Sequence, residues 1–232
     1  MKIFARIRWA YVTLIIFIGL TISIIIFPLF KTPRSQKIAA KFIKFMTFFE
    51  VESKGTEDPQ TQMFLINHQS DIDIEVMELL TEKELAWVAK KELFDVPFFG
   101  LALKLPEDIA VERESKTSLL KLLKDAKDRL DKGKTIAIFP EGTRSRSEKM
   151  LPFKNGAKLI ADKYALRVQP VVLLETAKAF DIKRFHSEPR TIKAIFLDSF
   201  IADKNDPDWL KNLRKKMQKV YDDELANNSS NR

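Results

Sequence analysis

Between Trp9 and Phe30 the chain carries no charged side chain, and this stretch restricts its architecture more than any other. As one helix it would be about 33 Å long at about 1.5 Å per residue, enough to reach across a hydrocarbon core of about 30 Å. It is longer than the apolar core of a typical secretory signal, and no small-x-small cleavage pattern follows before Lys31, so a retained membrane anchor is expected. Lys2, Arg6 and Arg8 precede the stretch, whereas Lys31, Arg34, Lys37, Lys41 and Lys44 follow it. For a spanning helix this heavier C-terminal flank places the rest of the chain on the cytoplasmic face of the inner or plasma membrane. Pro28 and Pro33 also permit a break, so a shallow hairpin with both ends on one side is the second reading.

Ser35 to Phe49 extends the membrane argument. Ile38, Phe42, Phe45, Met46 and Phe49 can share a helical face while Lys37, Lys41 and Lys44 cluster elsewhere, which suits a helix lying against anionic headgroups. A core-packed helix with solvated lysines is the plainer alternative. The formal charge of +8 would suit nucleic acid or an anionic bilayer, but the positive charge gathers around apolar sequence rather than in a polar recognition helix, which argues against nucleic acid. With 232 residues there is room for one anchor and one ordinary domain: 1–52 as anchor and interfacial region, 53–225 as catalytic domain, 226–232 as a frayed tail. The chain has no cysteine, which excludes disulfides, a thiol nucleophile and thiolate metal ligands.

Beyond the anchor, short apolar runs alternate with helical patterns. Met63 to Ile66 reads as a buried strand ending at Asn67-His68, followed by a helix over Ile72 to Leu80 that Ser70 or Asp71 can cap. Leu85 to Ala89, Ile109 to Val111, Thr135 to Phe139 and Val168 to Leu173 supply further strands, and Thr191 to Leu197 a late or edge strand. Helices are expected over Ser115 to Lys132, with Leu119, Leu122, Leu123, Ala126 and Leu130 as its stripe, over Asn155 to Tyr164, and over Pro207 to Asp223. The order implies an α/β fold with a mixed, largely parallel sheet flanked by helices.

His68 and Asp73 are the strongest chemical pair. A strand ending at His68 exposes its ring in a turn, and Asp73 in the first helical turn can fold back to orient it. The other ring nitrogen is then left to take a proton from an alcohol. A surface or capping role is the bland account of the two residues taken alone. His186 lies in a charged segment without such surroundings, and Glu107, Asp108, Glu112 and Glu114 lack metal-ligand spacing, so no metal is expected.

Asn67-His68-Gln69-Ser70-Asp71-Ile72-Asp73 resembles the His-x4-Asp motif of the glycerolipid acyltransferase family, and Phe139-Pro140-Glu141-Gly142-Thr143-Arg144-Ser145 resembles that family's second signature. The resemblance runs from about Phe64 to Val172. Ala89 to Leu93 and Pro97 to Gly100 resemble the connecting region, Val111-Glu112-Arg113 the strand ending in arginine, and Val168 to Val172 the final apolar-proline block; an aspartate is commoner where Glu112 stands.

The resemblance implies acyl transfer from acyl-CoA or acyl-carrier protein to a glycerolipid hydroxyl at a phospholipid bilayer, without a cofactor. It makes His68 the general base and Asp73 its orienting partner, with no acyl-enzyme intermediate. The absence of cysteine and of a Gly-x-Ser-x-Gly turn agrees with direct attack by the acceptor. Lysophosphatidic acid is the expected acceptor; glycerol 3-phosphate, another lysophospholipid, or non-catalytic lipid binding are the alternatives. Arg113 is the first candidate for the acceptor phosphate. Glu141, Gly142, Thr143 and Arg144 form the second, with Gly142 allowing close backbone approach and Glu141 fixing Arg113, Arg144 or the loop. Lys90 and Lys154 are weaker candidates. The oxyanion calls for donors, for which backbone N–H groups near the reactive turn are the natural source.

Overall fold

The computed structural model describes residues 2–30, 34–112 and 116–230. Two long helices open the chain, α1 (Lys2–Phe30) and α2 (Arg34–Thr47). The body then runs β1 (Glu50–Lys54), β2 (Met63–Ile66), α3 (Asp73–Leu80), β3 (Leu85–Lys90), α4 (Lys91–Phe94), α5 (Phe99–Lys104), β4 (Ile109–Val111), α6 (Lys116–Asp131), β5 (Thr135–Ile138), α7 (Asn155–Tyr164) and β6 (Arg167–Leu174). It closes with α8 (Thr176–Ala179), β7 (Phe180–Asp181), β8 (His186–Ser187), β9 (Thr191–Phe196), β10 (Phe200–Ile201) and α9 (Trp209–Ser230).

The main sheet has the order β1-β9-β6-β2-β5-β3-β4, with β10 paired to β6 outside this path. All neighbours are parallel except β6 with β9 and β10 with β6. This is the mixed, largely parallel α/β sheet the alternation implies, and β9 lies inside it between β1 and β6 rather than at its edge. Pro170 sits in the middle of β6, where its missing N–H would break a ladder. It pairs in register with Leu65 of β2, and its carbonyl accepts the Leu197 N–H at 3.0 Å on the other side, in the gap between the β10 pairing at Arg167 and Val168 and the β9 pairing that starts at Val171.

Every residue of β2 is buried, because helices cover both faces of the sheet. Met63 and Leu65 pack with Leu122 and Ala126 of α6, Ile160 and Ala161 of α7, and Leu213 and Met217 of α9. Phe64 and Ile66 face the other way, towards Val76 and Met77 of α3, Phe180, and Val12 of α1. The β2→α3→β3 and β5→α7→β6 connections therefore leave the neighbouring strands β2 and β5 in opposite directions on opposite faces. That reversal opens a crevice at the carboxyl ends of β2 and β5, where open α/β sheets place their sites.

α1 and α2 form an antiparallel pair folded on the α3 face. Val12, Ile15, Gly19 and Ser23 make a buried stripe at helical spacing, met by Ala39, Ala40 and Ile43. A Cβ at Gly19 would lie 2.6 Å from two side-chain atoms of Ile43, so the glycine sets how closely the helices approach. The Arg8 guanidinium donates to Thr47 O at 2.9 Å and the Tyr11 hydroxyl to Met46 O at 2.8 Å, while Lys37 Nζ donates to Thr81 O at 3.0 Å.

The single apolar face expected of Ser35 to Phe49 is divided. Small residues of α2 face α1, Ile38 and Phe45 are exposed, and the chain turns at Phe48 (φ 56°) to bury Phe49. α9 runs to Ser230, past both Asp223 and the start of the expected tail, and at the start of α3 the Ser70 hydroxyl accepts the Ile72 N–H at 3.3 Å, whereas Asp71 pairs with Arg144.

Candidate functional site

β2 delivers its polar residues in a fixed frame. Asn67 is fully buried, and its amide both donates to Leu173 O (2.9 Å) and accepts from Leu173 N (2.7 Å), locking the end of β2 to β6. The next residue, His68, emerges at the crevice. Its Nδ1 lies 2.8 Å from Asp73 Oδ2, which also accepts the backbone N–H groups of Gln69 (2.7 Å) and Ser70 (2.9 Å). One buried carboxylate oxygen thus shapes the turn and holds the ring. Because a carboxylate only accepts, the proton is assigned to Nδ1 and Nε2 is left with its lone pair.

Phe139, at the end of β5, stacks on the His68 ring at 3.8 Å between centroids and 12° between planes, and Trp87 stacks behind it at 5.1 Å. The stack limits ring rotation. Glu141 joins the two loops: Oε1 accepts the His68 N–H at 2.8 Å and Oε2 the Leu151 N–H at 2.6 Å. Burial pushes this carboxyl up, and the two backbone donors oppose that shift. Glu141 therefore fixes the loops, whereas Arg144 pairs with Asp71 instead. A further tie runs from Ser145 N to His68 O at 2.8 Å.

Gly142 adopts φ 69°, a left-handed conformation that a side chain would strain, and its N–H closes a turn on Phe139 O at 2.9 Å. Thr143 is exposed beside it. Lys90 stands apart, exposed and paired with Glu92 at 2.8 Å. Lys154 is exposed, and its backbone N–H donates to Pro140 O at 2.7 Å. Arg113 lies outside the described residues. The structure thus gathers His68, Asp73, Glu141, Gly142, Thr143 and Arg144, and leaves Lys90 and Lys154 on the surface.

The expectation that the turn's N–H groups are available to an oxyanion needs correction for His68, Gln69 and Ser70, whose N–H groups donate to Glu141, Asp73 and Asp73. Sequence reasoning also missed Phe139 as a stacking surface, Asn67 as a clamp and Asp71 as the partner of Arg144. Their positions inside the two motifs were the available signal. Gln69 donates to Ser147 O at 2.7 Å and to the Tyr221 hydroxyl at 3.1 Å, bordering a cavity of about 410 Å³ that His186 and Arg146 also line. Among the described residues, no three of His, Asp and Glu form a group able to hold a metal.

A protein-family model described as Acyltransferase matches residues 50–174, which include both loops. The 1-acyl-sn-glycerol-3-phosphate acyltransferase of Helicobacter pylori is 38% identical over 221 residues, covering 93% of this chain and 93% of that protein. The Haemophilus influenzae protein of the same name is 29% identical over 163 residues, 67% of this chain and 68% of that one. Among solved structures, the 1-acyl-sn-glycerophosphate acyltransferase PlsC of Thermotoga maritima aligns with a TM-score of 0.74, covering 96% of this chain and 97% of that one at 22% identity, a likeness of fold. Since the model spans more than half of the chain and the Helicobacter relative nearly all of it, the protein belongs to the acyltransferase family.

Proposed function

We propose that this acyltransferase moves a fatty acyl group from an acyl thioester, carried by CoA or acyl-carrier protein, to the sn-2 hydroxyl of 1-acyl-sn-glycerol 3-phosphate, giving phosphatidic acid. The observation that carries the reading is the His68–Asp73 contact, held at the same loop junction as Glu141 to Arg144. Asp73 keeps the proton on Nδ1, so Nε2 removes the acceptor's hydroxyl proton as the oxygen attacks the thioester carbonyl. The tetrahedral centre collapses with release of thiolate, which takes the proton back from the imidazolium. An ester and a free thiol result, and no side chain is acylated. Thr143 and Arg144 supply donors to the acceptor phosphate, together with Arg113.

The enzyme works at the membrane surface, held by the α1–α2 pair in one leaflet. α1 is long and apolar enough to cross a bilayer, but its Val12–Ser23 stripe is committed to α2 and the body. Phe4, Ile7, Leu14, Phe17 and Ile25 remain on its outward side, which suits a helix lying in the interface. The test is to give the purified protein in lipid a panel of lyso-acceptors and glycerol 3-phosphate with both donors. Phosphatidic acid formed from lysophosphatidic acid is the expected product. Preference for glycerol 3-phosphate would overturn the acceptor assignment, and no transfer by folded, membrane-bound protein would overturn the reaction.

A further inference from the structure

Leu93, Val96, Phe98 and Leu101 are all exposed, although they follow one another closely in α4, α5 and the turn between them. Phe94 and Leu103 of the same segment are buried. The turn is built tightly: Gly100 N donates to Val96 O at 2.8 Å, and a Cβ on Gly100 would sit 2.1 Å from Phe94 O. Phe98 is held at φ 66°, a costly conformation for a residue with a side chain. A compact, constrained segment thus presents a row of large apolar groups outward, the kind of patch that marks a contact surface.

Two features identify the occupant. The Phe98 ring meets Phe17 of α1 at 5.0 Å between centroids, which makes the patch continuous with the outward apolar side of α1 at Leu14 and Phe17. Exposed Lys104 closes one end of the segment, where its stem can pack on apolar groups and its ammonium group can meet an anionic headgroup, while Lys90 and Lys91 at the other end pair with Glu92 and Glu112. The segment also follows the carboxyl end of β3, the edge of the sheet at which β2 and β5 present His68 and Glu141.

We propose that the α4–α5 segment is a second membrane-contacting element, bedded at the headgroup boundary of the leaflet that holds α1. It rests on the membrane attachment proposed above and extends it: the bilayer reaches the edge of the sheet that carries the site, and an acceptor presents its hydroxyl without leaving the lipid.

Because the chain has no cysteine, single-cysteine variants carrying an environment-sensitive fluorophore report one position each. Leu101→Cys probes the patch, Leu14→Cys the outward side of α1, and Lys215→Cys the exposed side of α9, which packs on the opposite face of the sheet. The full chain is bound to phosphatidylethanolamine–phosphatidylglycerol vesicles containing a nitroxide-labelled lipid. Quenching at 101 and 14 but not at 215 is the expected result. Quenching at 14 without quenching at 101 would overturn the proposal while leaving the anchor in place, and would hand the patch to a soluble partner. Bound protein quenched at neither position would overturn the anchor and the proposal with it. In parallel, the Leu93→Ser, Val96→Ser, Leu101→Ser triple variant, altered only at exposed positions, is expected to lower vesicle partitioning on the order of tenfold. Unchanged partitioning of the folded variant would count against the proposal.

Discussion

Glu141 shows how one buried carboxylate can support two loops at once. Its two oxygens accept from His68 N and Leu151 N, so the loop after β2 and the loop after β5 share one support. Glu141→Gln leaves one acceptor oxygen for two donors and sets an amide N–H against the second. We expect a loss of about 1–3 kcal/mol in stability, read by denaturant melts, and a fall in kcat of up to about 100-fold as the His68 frame loosens. Asn67→Ala removes the double clamp on Leu173 and leaves a buried N–H and C=O unpaired. A destabilisation of about 2–4 kcal/mol is expected, measured by urea unfolding. His68 and Asp73 stood out in the sequence because a spacing of five residues across a strand-to-helix turn suits one short contact. Asp71 did not, because its partner Arg144 belongs to a distant loop and pairing across loops leaves no local pattern.

At the level of elements, buried acids join β3 to α3 and to the residue before β4. Glu78 accepts from Trp87 Nε1 at 2.8 Å and Asp108 from Trp87 N at 2.8 Å, and burial pushes both carboxyls up to about 8. The folded state then holds more protons than the unfolded state between the ordinary carboxylate range and about pH 8. Stability must fall as pH rises through that window and level off above it. Glu78→Gln and Asp108→Asn keep an acceptor and remove the charge, so each should flatten the pH dependence and raise stability at pH 8, as thermal melts across pH would record. The α1–α2 pair makes a separate prediction. Gly19→Leu must push the helices apart at Ile43, and we expect weaker protection of α1 amides in hydrogen exchange with the sheet unaffected. Helices such as α6 and α7 were legible from their apolar stripes. The division of α2 into an inward small-residue side and an outward side was not, since periodicity locates apolar positions but not the neighbour each one meets.

Across the whole molecule, the sheet order and the crevice between β2 and β5 bring together two motifs separated by some seventy positions of sequence, as the His68–Glu141 bond shows. The alternation of strands and helices indicated a parallel α/β body. It gave no order for the strands, because β1, β9 and β10 are placed by long-range pairing rather than local pattern. The proposed reaction runs through one imidazole, that of His68, at the junction of these two motifs. The most direct test is the rate of phosphatidic acid formation from lysophosphatidic acid and an acyl thioester by vesicle-bound protein, comparing the natural chain with His68→Ala. With His68 as the base, a loss of roughly 100- to 10,000-fold is expected, with vesicle binding and fold retained. A folded, bound His68→Ala protein that acylates the acceptor at close to the natural rate would contradict it.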